Sequence, residues 1–521
     1  MRLHNFLDYQ AREYGDGEFA IQGERHMTYS EAFAEANRLA NAFINAGLQI
    51  GDRIAMLAKN SIEYVLLYFA ASKAGVVPVP LNYRLAPAEW SYILTDAGVK
   101  VFLAAGEYLP AVESIRPELS TVERFVALDD PRAGWDDYHQ WVVEQPPTPP
   151  RRFVMEDYDL YQMYTSGTTG HPKGAVLTHR AVVAQLVQNG LALRGEPGER
   201  RLLVAPVFHA AGAVATAFRS VCEGGCLYIQ TDFNPSEVIR ALSEEHIVVA
   251  QMVPSMIQAC LTTVPDVAQR QYEDLRFIIY GASPIAEQTL RRAIEVFKCD
   301  FLQGYGMTET TSALTFLLPS DHRRALTQKP ALLLSAGRAI LGTEVRIVDT
   351  DDNPVPNGTI GEVVGRGPQL MKGYWNRPEA TAEALRGGWM HTGDAGVMDD
   401  EGYVYIQDRV KDMIVSGGEN VYPRIVEEEL FQHPAIADAA VIGVPDERWG
   451  EMVKAIVVLR EGMNATAEEI MEFCRGRLGG FERPRSVDFV AALPRNPSGK
   501  VLKRTLREPY WAGQQRHVAG A

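Results

Sequence analysis

Between Tyr164 and Gly174 the chain reads YTSGTTGHPKG. Gly167, Gly170 and Gly174 let a backbone approach a polyanion closely. Thr165, Ser166, Thr168 and Thr169 offer hydroxyl donors, and Lys173 supplies positive charge. Such a segment suits the phosphates of a nucleoside triphosphate. It is not a Walker A loop, because the G-x-x-x-x-G-K-[ST] spacing is absent. A flexible Ser/Gly-rich surface loop would account for half of these residues, but not for the whole run in order.

The elements that must carry this loop alternate in type. Phe33, Leu39, Ala40, Phe43 and Ile44 recur at helical spacing and stop at Gly47; Arg53 to Ala58 then reads as a short strand. Ile62 to Ala74 is a second helix, ended by Gly75 before the β-branched run Val76 to Pro80. The pattern returns with strands at Cys226 to Gln230, Ile247 to Met252, Phe277 to Tyr280 and Asp300 to Gln303, and helices at Pro235 to Glu245 and Ile285 to Phe297. This alternation predicts an α/β fold with substantially parallel sheets. From about Ser335 the character changes: strands at Glu344 to Asp349 and Glu362 to Gly365 flank the turn-rich Asp352 to Gly358, which predicts a smaller β subdomain. After Asp408 a compact α+β segment follows, with helices near Ile425 to Phe431 and Ala467 to Leu478 and strands at Val453 to Leu459 and Val487 to Val490. Pro146 to Pro150 reads as a stiff surface linker.

Composition narrows the functions this chain can have. At 521 residues it has length for about three or four structural units. With 51 Lys plus Arg against 66 Asp plus Glu, the net charge of −15 argues against polymeric nucleic acid as a partner but leaves room for a small anion in a locally basic cleft. The apolar stretch Tyr64 to Leu81 is interrupted by Ser72, Lys73, Gly75 and two prolines, so no membrane span is expected. Met1 to Ala20 carries four carboxylates and no apolar h-region, so no secretory signal is read and a cytoplasmic protein is expected. The five cysteines are scattered, and Cys222-x3-Cys226 lacks a second ligand pair for a structural metal. The pairs Arg151-Arg152, Arg200-Arg201, Arg291-Arg292 and Arg323-Arg324 would give weak peripheral contact with anionic lipid if they shared one face; scattered solvated arginines are the alternative.

The loop YTSGTTGHPKG resembles the signature of the adenylate-forming superfamily, which contains acyl-CoA synthetases, peptide-synthetase adenylation domains and beetle luciferase. Four further segments carry the resemblance in the same order over roughly residues 25 to 505: Gln303 to Thr310 (QGYGMTET), His391 to Asp394 (HTGD), Asp408 to Pro423 (DRVKDMIVSGGENVYP) and Pro494 to Lys500 (PRNPSGK). The resemblance implies a large adenylation domain, residues 1–408, made of two α/β sheet subdomains and a smaller β subdomain. It also implies a small mobile α+β domain, residues 412–521, with a hinge near 409–411. One position departs from the family's pattern: after Pro423 the chain reads Arg424-Ile425-Val426-Glu427, with isoleucine where a glutamate is usual.

By that resemblance Thr165, Ser166, Gly167, Thr168, Thr169 and Gly170 cradle the phosphates of ATP. Gly281, Ala282 and Ser283, with Gly304, Tyr305, Gly306 and Met307, border the nucleotide. Thr308 meets the α-phosphate, and Glu309 holds Mg2+, a hard oxygen ligand for a hard cation. Asp394 and Arg409 take the ribose, a carboxylate being suited to both hydroxyls. Lys173 and Lys500 offset the charge of two anions brought together. Lys411 is the hinge, and Gly417, Gly418 and Glu419 form the loop presented to the thioester site. His209, Ala213 and Tyr280 are expected in the acyl pocket, near Ala210, Gly212, Gly281, Ala282, Gly304 and Met307; for His209 a satisfied core histidine is the alternative.

The implied activity is that of an ATP-dependent acid–CoA ligase: a carboxylic acid becomes acyl-AMP with release of pyrophosphate, and coenzyme A then takes the acyl group. Small uncharged residues around the pocket favour a medium- or long-chain fatty acid. An aryl acid such as hydroxycinnamate or benzoate is the alternative, and a ligase loading a carrier protein a further one. Luciferase-like oxygenation and a catalytically dead binding module belong to other classes; light emission with luciferin, or absence of ATP–pyrophosphate exchange, would mark them. Separate assays of the two half-reactions check the implied division of labour. Lys411→Pro, which fixes φ, is expected to keep acid-dependent pyrophosphate release and block thioester formation. Lys500→Ala is expected to lose pyrophosphate release yet still convert supplied acyl-AMP. Loss of both half-reactions in a folded Lys411→Pro protein, or undiminished release in Lys500→Ala, contradicts these roles.

Overall fold

The computed structural model describes residues 1–165, 172–283, 285–409, 412–416, 419–446, 449–475, 477–495 and 501–512. Its architecture is α/β with five sheets. In the largest, six neighbouring strands run parallel in the order Asp300–Tyr305, Phe277–Gly281, Ile247–Gln251, Arg200–Leu203, Cys226–Ile229 and Glu18–Gln22. Antiparallel strands close both edges, Thr315–Leu317 and Arg338–Ala339 at one end and Arg25–Thr28 at the other. A second, all-parallel sheet has the order Val77–Pro80, Arg53–Leu57, Val99–Ala104, Arg124–Ala127 and Asp136–Asp137.

Helix Ile62–Ala74 shows how the sequence builds the interior. Ser61 caps it by accepting from the Tyr64 N–H, and Gly75 ends it in the left-handed region at φ 72°. The helix is apolar on every side, and every residue but Glu63 is buried. It packs against Tyr29–Asn45, whose N-terminus is fixed by a Thr28/Glu31 capping box. The long apolar stretch of the sequence is therefore core, and among the described residues no helix is long and apolar enough to cross a membrane.

Two smaller sheets bear on the site. A three-stranded antiparallel sheet joins Asp159–Thr165, Lys173–Thr178 and Gly373–Tyr374. A four-stranded antiparallel sheet joins Glu344–Val348, Gly361–Arg366, Met390–Met398 and Val404–Arg409. Beyond Arg409 the next strand, Ile414–Ser416, belongs to another sheet, with Glu419–Val421, Gly450–Leu459, Ile436–Asp446 and Ser486–Phe489.

Several local expectations are refined. Pro146 to Pro150 is a surface connection as expected, and it is tied down: the carbonyls of Pro146 and Thr148 accept from Asn41 and that of Pro147 from Asn37. The helix expected to reach Leu478 ends at Phe473, and the helix expected from Ile285 begins at Glu287. Ile425 packs against the apolar core of the C-terminal sheet, which accounts locally for an isoleucine there. Seven of the eight paired arginines have partners within the chain. Arg152 donates to the carbonyls of Leu48 and Ala74, Arg201 is buried against Glu223, and Arg200, Arg291, Arg292, Arg323 and Arg324 each pair with a nearby carboxylate.

Candidate active site

The glycine- and hydroxyl-rich segment is the connection of a β-hairpin. Thr165 stands opposite Lys173 at the end of the ladder. Residues 166–171, and with them Ser166, Gly167, Thr168, Thr169 and Gly170, lie outside the described residues, but both stems of the loop are in place. Gly174 is required there: a Cβ would lie 2.7 Å from the Gln162 side-chain amide.

Facing the hairpin, the chain leaves strand Asp300–Tyr305 and makes a 3-10 turn, Thr308–Thr310, that carries Glu309. Thr310 Oγ1 accepts from the Met307 N–H at 3.0 Å. Thr311 sits at φ 65°, a left-handed conformation costing a non-glycine residue about 1–3 kcal/mol, and its hydroxyl donates to the Gln369 carbonyl. The turn presents Glu309, 3% exposed, to two hydroxyls: Thr165 Oγ1 donates to its Oε1 at 3.1 Å and Tyr374 to the same oxygen at 2.8 Å. The Tyr374 ring lies 5.3 Å from the Lys173 ammonium. Among the described residues no lysine, arginine or histidine lies within 4.0 Å of the Glu309 carboxylate. A nearly buried carboxylate held by neutral donors on one oxygen has a donor set that fits a hard divalent cation.

The second part of the site lies on the four-stranded sheet. Tyr305, at the C-terminal end of its strand, donates to Asp394 Oδ2 at 2.8 Å. Asp394 is 7% exposed and lies within strand Met390–Met398. Its segment is shaped by Glu362, which lies 2.9 Å from His391 Nδ1 and accepts from the Gly393 N–H, with Gly393 at φ 68°. Thr392 donates to the Val363 carbonyl at 2.6 Å. Asp394 stands opposite Arg409 in the ladder, which puts the two backbones side by side.

Between these parts, the ends of two parallel strands are pressed together, the usual place for a ligand in an open α/β sheet. Gly281 is in register with Gly304, and a Cβ on Gly281 would lie 2.3 Å from the Gly304 carbonyl oxygen. Ala282, at φ 66°, turns the chain left-handed into Ser283. Gly306 is equally constrained, a Cβ meeting Ala313 and Ser312 backbone atoms at 2.6 Å.

The three acyl-pocket residues part company. Ala213 is buried in the main apolar core, on an eight-residue π-helix, Ala211–Phe218. His209 lies just before it. Its Nε2 is sealed from solvent without a protein partner, and burial lowers its pKa to about 4, so the ring is neutral at pH 7. Tyr280 belongs elsewhere: it is 1% exposed in the separate cluster that includes Met252 and Ile278, and its hydroxyl is 2.9 Å from His322 Nε2. Placing Tyr280 with His209 and Ala213 is corrected accordingly, because alternate residues of a strand face opposite sides of a sheet. Lys411, Gly417, Gly418 and Lys500 lie outside the described residues, as do the side chains of Arg409 and Glu419. Tyr374 and Glu362 are site residues missed in the sequence; the only local signal for Tyr374 was the Gly373-Tyr374-Trp375 run.

Comparison with known proteins agrees with this geometry. Residues 7–375 match the AMP-binding enzyme model and residues 425–500 the AMP-binding enzyme C-terminal domain. A fatty acid–[acyl-carrier-protein] ligase, ScoC of Streptomyces coeruleorubidus, is 38% identical over 500 residues, 95% of this chain and 93% of the relative. A long-chain-fatty-acid–CoA ligase, FadD13 of Mycobacterium tuberculosis, is 39% identical over 489 residues, 93% of each chain. A feruloyl-CoA synthase of Amycolatopsis is 38% identical, covering 94% of this chain and 95% of the relative. Among solved structures, the anthranilate CoA ligase AuaEII with anthranoyl-AMP superposes with a TM-score of 0.89 at 27% identity, over 98% of this chain and 97% of that one. ATP-bound MatB from Rhodopseudomonas palustris superposes with 0.88 at 29%, over 98% and 99%.

Fold and site thus define an adenylate-forming α/β enzyme that uses ATP. The chain belongs to the AMP-binding enzyme family, in its acyl-CoA synthetase branch.

Because the strand ends at Gly281 and Gly304 leave no room on one side only, two alanine variants should differ. Gly281→Ala must displace backbone and is expected to cost about 1–3 kcal/mol in urea unfolding. Gly304→Ala, whose Cβ would make an ordinary 3.5 Å contact with Phe316, is expected to cost less than about 1 kcal/mol. The reverse ranking contradicts the packing described.

Proposed function

We propose that the enzyme activates a medium- or long-chain fatty acid as acyl-AMP and transfers the acyl group to coenzyme A. The observation that carries the adenylation reading is the Glu309 carboxylate, gathered with Thr165 and Tyr374 beside Lys173 and across the cleft from the Tyr305–Asp394 pair.

In the first half-reaction a carboxylate oxygen of the acid attacks the α-phosphorus, and the bond to the bridging oxygen of pyrophosphate breaks. Glu309, with Thr165 and Tyr374 at hand, would hold Mg2+, which when bound supplies charge neutralisation at the phosphates. Lys173, at the stem of the loop, is assigned the charge of the phosphates, and Lys500 is assigned with it the charge developing at the α-phosphoryl oxygens. Thr308 is assigned the α-phosphate, and Asp394 and Arg409 the ribose. In the second half-reaction the thiol sulfur bonds to the acyl carbon and AMP leaves. We assign Lys411 as the hinge between residues 1–408 and 412–521, by which Lys500 is withdrawn and Gly417, Gly418 and Glu419 are brought to the thioester site. No protein nucleophile is required, since holding the reactants in line can supply up to roughly 7–11 kcal/mol.

For the acid, an apolar tail is favoured by the surroundings of His209: Phe208, Ala210 and Ala213 all belong to the main apolar core, and the imidazole is neutral. The two fatty-acid ligases among the relatives support the same choice. The feruloyl-CoA synthase keeps an aryl acid as the second reading. AMP formation measured with CoA over a panel of C6 to C18 acids, ferulate and benzoate decides between them. Turnover of the alkyl acids is expected; turnover of aryl acids alone would defeat the fatty-acid reading. Replacing CoA with a phosphopantetheinylated carrier protein in the same assay tests the acceptor, CoA being expected to react faster.

A further inference from the structure

Behind the wall that carries Thr165 and Tyr374, Asp96 holds the chain neighbour of each, Tyr164 by its carboxylate and Trp375 by its backbone carbonyl. Asp96 lies near the end of helix Pro87–Ala97, on the all-parallel sheet's side. Its Oδ2 accepts from the Tyr164 hydroxyl at 2.6 Å, its Oδ1 from the Arg377 guanidinium at 2.6 Å, and its backbone carbonyl from the Trp375 indole at 3.1 Å. One helical turn earlier, Tyr92 donates to the carbonyl of Pro172, at the far stem of the phosphate-binding loop, and accepts from Arg377.

The same layer is closed by Arg53. It lies 3.4 Å from the Trp375 ring centre and donates to Gln162, whose amide in turn donates to the Tyr164 hydroxyl at 3.1 Å. The Trp375 N–H donates to the Gly174 carbonyl at 2.8 Å. Tyr164 and Thr165 are successive residues of strand Asp159–Thr165, so their side chains leave opposite faces; Tyr374 ends its strand, and the turn residue Trp375 that follows bonds away from Glu309. Tyr164 and Trp375 point to Asp96 while Thr165 and Tyr374 point to Glu309. Asp96 is only 12% exposed, and it is joined to both strands by charge-assisted hydrogen bonds or by its own carbonyl.

We infer that Asp96 is a positioning residue for adenylation: its carboxylate holds Tyr164 and its backbone carbonyl holds Trp375, the chain neighbours of Thr165 and Tyr374, and so it sets those two hydroxyls and the stems beside them relative to the Glu309 carboxylate. This rests on the adenylation reading of Glu309. A positioning role differs from a merely structural one in which half-reaction it affects. Conversion of supplied acyl-AMP and CoA involves no β- or γ-phosphate, whereas ATP–pyrophosphate exchange depends on them.

The test uses the full-length enzyme with Tyr164→Phe, which removes one hydroxyl, and Asp96→Asn, each checked for folding by thermal melting. In both, the KM for ATP in exchange is expected to rise about tenfold or more, as a small misplacement of reacting groups does, while thioester formation from supplied acyl-AMP stays within about twofold of the parent. An equal fall in both half-reactions, or exchange indistinguishable from the parent, overturns the inference. If Asp96→Asn does not fold, Tyr164→Phe decides alone. If the unaltered enzyme exchanges no pyrophosphate with any acid of the panel, the adenylation reading fails and the inference with it.

Discussion

A carboxylate at Glu309, almost out of water and facing two neutral hydroxyls, is the constraint on which the rest of the arrangement turns. Burying a charge is costly unless something of opposite sign shares the site. The apparatus that keeps Glu309 there is elaborate for so small a turn: a left-handed Thr311 tied to Gln369, a Met307–Thr310 lock and a backbone bond from Met371 to the Glu309 carbonyl. Such strain is held only where surrounding structure over-determines it. On the proposed reading, a carboxylate held in this cleft near Lys173 is there for a cation together with a polyanion.

Three sheets converge to satisfy that constraint. The largest sheet ends its parallel strands at Gly281 and Gly304 and launches the turn bearing Glu309; the three-stranded sheet brings Thr165, Lys173 and Tyr374; the four-stranded sheet brings Asp394 to Tyr305. Each sheet supplies one part that is of no use alone. Among the described residues the all-parallel sheet contributes no group to the cleft, but its helix and Arg53 brace the wall from behind.

Much of this was legible in the sequence, and the reason is local. Thr165, Lys173, Glu309 and Asp394 sit in short ordered runs of glycine, hydroxyl and charge, and the strand and helix periods around them are strong. What was not legible are the partners separated along the chain: Tyr374 lies 65 residues from Glu309 and Asp96 lies 68 from Tyr164, and neither carries a motif of its own. Tyr280 was misplaced for a different reason. Proximity to Gly281 in sequence suggested the pocket, but the pleat sends Ile278 and Tyr280 into one cluster and Ile279 into another. The stiff run Pro146 to Pro150 was legible as a surface linker, but nothing in it announces that Asn37 and Asn41 bond its carbonyls.

The central claim, that Glu309 is buried there for a cation and a nucleotide and not for stability, separates stability from activity in one variant. Glu309→Gln retains an acceptor for Thr165 and Tyr374 while removing the charge. The decisive measurement is the melting temperature of this variant without nucleotide or metal, taken with its rate of Mg2+-dependent ATP–pyrophosphate exchange. The account predicts a melting temperature equal to or above that of the unaltered protein and exchange reduced by about a hundredfold or more. A protein that melts well below the parent yet exchanges pyrophosphate at the parent's rate would contradict it.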